Sequence, residues 1–369
     1  MQSDSVTAGV VCTVWGTLVV LLLCGCRTEQ VGITQLDIRP HDAIAPGGRW
    51  MLIVRPPTVV DLANGGSRRL ASAPTTTLSG WSWSPEGTSL MNCCTGETGT
   101  AVATFDPRTG ANSRVGAGGI RNAFPAEELV RACYASGDHV AVGLSNGVPT
   151  IGIARLIDEE LLPTPSTVQL GRSAGFMTIL GRAQGSDHVV ATVLEDQESR
   201  SRPVMYSIRL SDLHVMPILN AEQLRGALPS HGGTDGLTDQ IGEWSPATGG
   251  GWAFPMVRLR DHDTALLRVS LDSGQIEVLA KRRLDWPIDV NSDGTRIAFS
   301  EPSLGGEGRS ISIADVEMAT VVRLTSGDHE DDMPMWNESR DEIVFVRDHT
   351  QIWRVSVDGG KPMPVCEVM

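Results

Sequence analysis

The chain has 369 residues, a formal net charge of -14 and a pI near 5.0. That acidic balance excludes nucleic acid as a partner, because phosphate contacts need clustered Lys and Arg. An apolar fraction of 41% excludes wholesale disorder, and 40 Gly with 21 Pro suit many short strands joined by tight turns.

The first element is an address. Residues Ser5 to Cys26 carry no charge, and the run ends in Leu23-Cys24-Gly25-Cys26. A short apolar core closed by small residues is the pattern of a secretory signal. The ending resembles a bacterial lipobox, which implies Cys26 as the lipidated first residue of the mature chain. A run of roughly 20 apolar residues can also remain as a helical membrane anchor. The expected division is therefore 1–26 as lipoprotein signal peptide or anchor and 27–369 as the folded domain.

Beyond the leader, a short string recurs in degraded copies. Its clearest copy is Trp83-Ser84-Pro85-Glu86-Gly87-Thr88-Ser89. Relatives are Ala45-Pro46-Gly47-Gly48-Arg49, Trp244-Ser245-Pro246, Asn291-Ser292-Asp293-Gly294-Thr295-Arg296 and Trp336-Asn337-Glu338-Ser339-Arg340. Near-copies Asp138-His139-Val140-Ala141 and Asp187-His188-Val189-Val190 supply two more turns. The predicted turns fall at 46–48, 85–87, 136–138, 185–187, 246–248, 292–294 and 338–340. An apolar strand follows most of them, as in Trp50–Val54, Ile297–Phe299 and Ile343–Phe345. A second turn signal, rich in Asp and Gly, recurs at 61–65, 106–110, 271–274, 315–318 and 357–360.

Punctuation at this period marks a repeat fold, and its four-stranded form is the β-propeller. The 343 residues after position 26 (369 less 26) give 49 per blade for seven blades and about 57 for six. Known blades run to roughly 40–50 residues. The expected fold is thus all-β, a propeller of seven four-stranded blades, with six or eight as alternatives. The strings resemble the TolB-type, WD40-like propeller repeat, W-S-P-D-G followed by a strand, over about 80% of the chain. That family includes periplasmic partner-binding proteins and propellers attached to prolyl-peptidase catalytic domains. The resemblance implies the fold and leaves the ligand open.

Candidate chemistry is sparse. Gly171-Arg172-Ser173-Ala174-Gly175 matches a nucleophile elbow but joins two β-blades rather than a strand and a helix. His139 and His188 are repeat-equivalent turn residues. Gly249-Gly250-Gly251 and Gly305-Gly306-Glu307-Gly308 read as hairpin loops, since no Gly-Lys-Ser/Thr follows them. Asn337-Glu338-Ser339 is a glycosylation sequon inside a repeat turn. Cys93, Cys94, Cys133 and Cys366 have no C-x-x-C spacing and read as buried thiols, with a Cys94–Cys133 bridge as the alternative. The repeat tryptophans read as blade packing. No metal or cofactor is expected.

The acidic loop Asp328–Asp332 precedes an inner strand, as acidic loops often do in TolB-type repeats. Glu243, Asp285, Asp331 and Asp332, each placed before an inner strand, are the candidate binding residues at the channel mouth. No catalytic residue is assigned. The functional expectation is a membrane-tethered, extracytoplasmic propeller of the bacterial envelope that binds a protein, peptide or glycan. The alternative is a hydrolase or lyase acting on sugars or peptides, using paired carboxylates in the central channel.

Overall fold

A strand that is apolar at every position needs a neighbour on each of its faces. Ile297-Ala298-Phe299 and Ile343-Val344-Phe345 are such strands, and all six residues are fully buried. Ile297 and Phe299 pack towards one neighbouring sheet, whereas Ala298 packs towards the other. Successive side chains of a strand point to opposite faces. The sheet is therefore sandwiched, and its second strand loses the apolar/polar alternation of a half-exposed sheet.

The computed structural model describes residues 38, 43–54, 57–70, 81–96, 99–115, 128–136, 139–145, 148–157, 160–171, 175–183, 186–197, 200–228, 247–259, 264–282, 284–303, 308–318 and 320–368. They form seven antiparallel sheets, each from consecutive strands. Blade 1 holds β1 (Trp50–Ile53), β2 (Thr58–Asp61) and β3 (Ser67–Arg69), with its inner position marked by the bridge Ile44–Met51. Blade 2 holds β4 (Trp81–Trp83), β5 (Leu90–Gly96), β6 (Gly99–Phe105) and β7 (Asn112–Val115). Blade 3 holds β8 (Glu128–Ser136), β9 (His139–Ser145), β10 (Pro149–Ile157) and β11 (Glu160–Gln169). Blade 4 holds β12 (Gly175–Arg182), β13 (His188–Gln197), β14 (Arg200–Arg209) and β15 (His214–Leu219), and a short helix α1 (Ala221–Ala227) follows.

Blade 5 holds β16 (Ala247–Gly249), β17 (Trp252–Phe254), β18 (Met256–Arg258), β19 (Thr264–Ser270) and β20 (Ile276–Arg282). Its second strand is one strand in two pieces: β17 and β18 both pair with β19, and Pro255, which has no N–H for the ladder, separates them. Blade 6 holds β21 (Asp285–Val290), β22 (Arg296–Pro302), β23 (Arg309–Asp315) and β24 (Val321–Arg323). Blade 7 holds β25 (Asp331–Asn337), a 3₁₀ turn (Glu338–Arg340), β26 (Glu342–Arg347), β27 (Gln351–Ser356) and β28 (Met363–Glu367). The seven-bladed propeller expected from the repeats is the fold observed.

First strands of neighbouring blades touch one another, β4 with β8, β8 with β12, β16 with β21 and β21 with β25, so they line the axis. Seven apolar clusters fill the interfaces between successive blades. One of them joins blades 7 and 1, setting Met51, Ile53 and Val60 against Met335, Val344 and Ile352. Helix α1 is capped by the Asn220 side chain and inserts Leu224 between blades 4 and 5. Among the described residues, no helix is long and apolar enough to cross a membrane.

Most predicted turns fall between the first two strands of a blade, and one needs correction. Ala247 and Thr248 lie inside β16, and the chain reverses at Gly250-Gly251, both at positive φ (+57° and +82°). Two adjacent glycines supply the left-handed geometry of the turn, so they override the Trp-Ser-Pro copy just upstream. The stretch 126–133 reads from sequence equally as a helical turn or as strand, and from Glu128 onward it is strand β8. The leader, including Cys26, lies outside the described residues, as do Ser173 and the side chain of Cys94. Cys366 is half-buried, and burial pushes its thiol up to about 11.

The Trp336 side chain is buried, and its indole Nε1 donates to the Asp289 backbone oxygen at 3.3 Å. Trp336→Ala should cost about 3–5 kcal/mol in chemical denaturation. Trp336→Phe, which keeps a ring and loses the donor, should cost about 1–2 kcal/mol through the unpaired carbonyl and the smaller volume. An unchanged midpoint for both variants would place Trp336 outside the interface.

Candidate functional site

The repeat turn is built from its own side chains. Ser84 Oγ accepts from the backbone N–H groups of Thr88 (3.2 Å) and Ser89 (3.1 Å). Asn291 Oδ1 does the same with Thr295 (3.0 Å) and Arg296 (2.8 Å). A short polar side chain is needed there to satisfy donors that the reversal frees. Gly87 sits at φ +66°, and a Cβ on it would overlap the Pro46 carbonyl oxygen of the adjacent blade. Gly48, also at +66°, lies equally close to the Asn337 side chain. Glycine thus lets neighbouring turns touch through their backbones.

The residue before each turn occupies one repeated place on the inner strand. Register assigns it to Ile44, Trp83, Tyr134, Arg182, Thr248, Val290 and Trp336, opposite Met51, Leu90, Val140, Val189, Ala253, Ile297 and Ile343. Where this residue is aromatic, it is tied to the preceding blade. Trp83 Nε1 donates to Ala43 O at 3.2 Å, and Trp336 Nε1 to Asp289 O at 3.3 Å. Ala43 and Asp289 are themselves equivalent, each one residue before that place. The hydroxyls of Tyr134 and Ser89 lie 3.1 Å apart, within hydrogen-bonding distance. The backbone is tied the same way: Tyr134 N–H donates to Ser82 Oγ (3.2 Å) and Trp336 N–H to Asp289 Oδ2 (2.8 Å).

Five blades converge through these residues on a cavity of about 320 Å³ at the turn end of the channel. Its wall includes Ile44, Pro46, Trp83, Pro85 and Trp336, with Ser82, Arg182, Ser292, Glu338 and Ser339 as the polar side chains. Glu338 accepts from the backbone N–H and the hydroxyl of Ser292, joining blades 7 and 6. Asn337, 1% exposed, donates from Nδ2 to Gly48 O at 3.0 Å and joins blades 7 and 1. The sequon asparagine is therefore a buried closure residue. Among the described residues, Arg182 Nε is buried and has no hydrogen-bond partner.

The propeller of the trilobed protease from Pyrococcus furiosus matches 84% of this chain and 86% of its own, at 11% identity and TM-score 0.50. Dipeptidyl peptidase 4 of Porphyromonas gingivalis matches 90% of this chain at 11% identity and TM-score 0.51, and TolB from Acinetobacter baumannii matches 80% at 13% and 0.43. What the chain shares with the trilobed-protease propeller and the dipeptidyl peptidase is the fold. It spans 64% of the length of that TolB and 53% of that peptidase. No protein-family model and no curated protein matches the sequence.

Of the nominated acidic residues, Asp285, Asp331 and Asp332 lie at the opposite end of the propeller's channel, where inner strands begin. Asp331 and Asp332 lie within β25 rather than in the loop before it. Asp331 is 0% exposed, and the Arg347 guanidinium grips it in a fork, Nε to Oδ1 at 2.6 Å and Nη2 to Oδ2 at 2.8 Å. Arg347 in turn lies 4.2 Å over the Trp353 ring. Asp332, partly exposed, accepts from Ser300 Oγ at 2.6 Å, and Arg309 Nη2 donates to the same hydroxyl at 2.7 Å. Asp285 begins β21 and pairs in register with Ser300, so the structure brings Asp285 and Asp332 to one residue. Glu243 lies outside the described residues. Farther out on blade 4, the Tyr206 hydroxyl donates to buried Glu195, and burial followed by that bond pushes the phenol upward.

Arg182 was not among the residues nominated from sequence. Its signal was spacing: it precedes His188 by six positions, as Trp83 precedes Ser89 and Trp336 precedes Glu342.

Removing one partner of the Asp331–Arg347 pair leaves a buried charge. Asp331→Leu should cost about 3–5 kcal/mol, and adding Arg347→Met should restore most of it. Equal losses in the single and double variants would show that the pair is not the source.

Proposed function

We propose that the chain is a non-catalytic, extracytoplasmic propeller, tethered to the membrane at Cys26, that receives part of a protein or peptide partner in the cavity at the turn end of its channel. One observation carries this reading. Among the described residues, the cavity is walled by turns whose polar side chains are already engaged with one another, leaving a shaped recess with one uncommitted cationic side chain and no paired acid and base. Pockets of roughly 300 Å³ and more hold small ligands or single side chains. The turns are rigid because glycine-mediated contacts lock them together, so the recess is formed before a ligand arrives, which lowers the cost of binding.

The acidic end of the channel supports catalysis less well. Asp331 is held by Arg347, and Asp332 is engaged with Ser300. The fork with Arg347 commits Asp331 to an ion pair, away from the acid–base role that glycoside hydrolysis asks of its carboxylates.

The full chain used as bait should retain a partner from a detergent extract of bacterial envelopes. Ser339→Arg, placed on the exposed rim of the cavity, should abolish retention while the chain still melts in one cooperative transition. Turnover of a peptide or glycan library without any retained partner would overturn the binding reading. Separately, labelled fatty acid should appear on the chain and vanish in Cys26→Ser; label retained by that variant would exclude Cys26 as the anchor.

A further inference from the structure

The three aromatic residues at the repeated place, Trp83, Tyr134 and Trp336, each use their polar group to engage the preceding blade. Arg182 stands in the same place on blade 4. Its register partner is Val189, and the turn behind it closes with the same backbone bond, Ala183 N–H to His188 O at 2.9 Å, as Ser84 N–H to Ser89 O at 2.8 Å. Yet among the described residues its buried Nε has no partner and its guanidinium makes no ion pair, while the side chain lines the cavity. A buried donor left unpaired is costly and calls for an explanation.

The other polar side chains of the cavity are engaged. Ser82 accepts from Tyr134 N–H, Ser292 donates to Glu338, and Ser339 donates to Asn337 Oδ1 at 3.0 Å. Arg182 is thus the uncommitted donor among them. A guanidinium presents a planar fork that matches a carboxylate or a phosphate. Glu338 lies in the same cavity and the chain carries -14, which disfavours a doubly charged anion. Trp83, Pro46, Pro85 and Trp336 supply an apolar wall. A volume of about 320 Å³ holds one or two amino-acid residues.

We propose that Arg182 recognises a single carboxylate in this cavity, namely the C-terminal carboxylate of a peptide whose last side chain is apolar. The proposal rests on the binding reading above and narrows it to one chemistry. Arg182 is a binding residue that stands where the repeat elsewhere places an interblade aromatic.

Trp83 and Trp336 line the cavity, so tryptophan fluorescence of the full chain reports occupancy. The probes are N-acetyl-leucine, which mimics a peptide end, and its amide, which lacks the charge. The acid should give a saturable change, with the amide at least tenfold weaker. Arg182→Gln should weaken the acid at least tenfold and leave the amide unaffected, and Arg182→Lys should fall between, because it keeps the charge without the fork. The comparison of acid with amide on the unaltered chain needs no variant to fold. Equal binding of acid and amide would overturn carboxylate recognition while leaving the binding reading intact. No saturable change with the acid, or Arg182→Gln binding it as tightly as the unaltered chain, would also overturn the proposal. Galacturonate competing as well as N-acetyl-leucine would overturn the assignment to a peptide end.

Discussion

Closing the ring between blades 7 and 1 is the constraint on which the other six interfaces depend. A sheet apolar on both faces is insoluble alone, so every blade needs two neighbours. Among the described residues, each sheet comes from consecutive strands, and no strand is exchanged between the first and last blades. Among the described residues, side chains supply the main contacts at the joint. Met51, Ile53 and Val60 meet Met335, Val344 and Ile352, and Asn337 spends its amide on Gly48 O. Buried apolar surface is worth roughly 25 cal/mol per Å², and a buried amide without its partner costs about 1–3 kcal/mol, so both terms resist opening. Opening at that joint would expose two apolar faces together, which makes it all-or-none.

The same closure creates the cavity. Inner strands that must lie side by side end in turns that must fit around one axis. Trp83 and Trp336 reach back to the preceding blade and set the spacing between inner strands at this end. Glycine at the turns then removes the Cβ atoms that would collide, as at Gly87 against the Pro46 carbonyl. What is left at the centre is the volume that these contacts do not fill. Its walls are backbone and interlocked side chains, and its shape follows from the packing of the ring.

Much of this architecture was legible because it is local. Ser84 and Asn291 cap turns four and five residues long, so their chemistry is written within the repeat string. Uniformly apolar second strands reported sheets buried on both faces. Long-range pairing left no such trace. Asp331 read as a loop carboxylate because its partner, Arg347, is 16 residues away across a hairpin. The reversal in blade 5 was misplaced because a Trp-Ser-Pro copy outweighed the two glycines that make the turn. Helix α1, seven residues long, is too short to show a helical period and is held by Asn220 and by Leu224 in the interface.

A repeat protein offers its own control for separating structure from function. When one place recurs on every inner strand, copies that satisfy the same contact explain one another, and the copy that breaks it needs a separate cause. Thr248 and Val290 differ from tryptophan by being small, and a small residue leaves packing for its neighbours to complete. Arg182 differs in kind. It brings a charge and five donors to a place where the aromatics bring one N–H or one hydroxyl. A substitution of that sort weakens the fit between local sequence and fold, and natural chains keep such conflicts mainly at functional sites. Arg182 also lines the cavity, with its Nε buried. The departure from the repeat and the place of the departure therefore point to the same residue, and neither depends on the other.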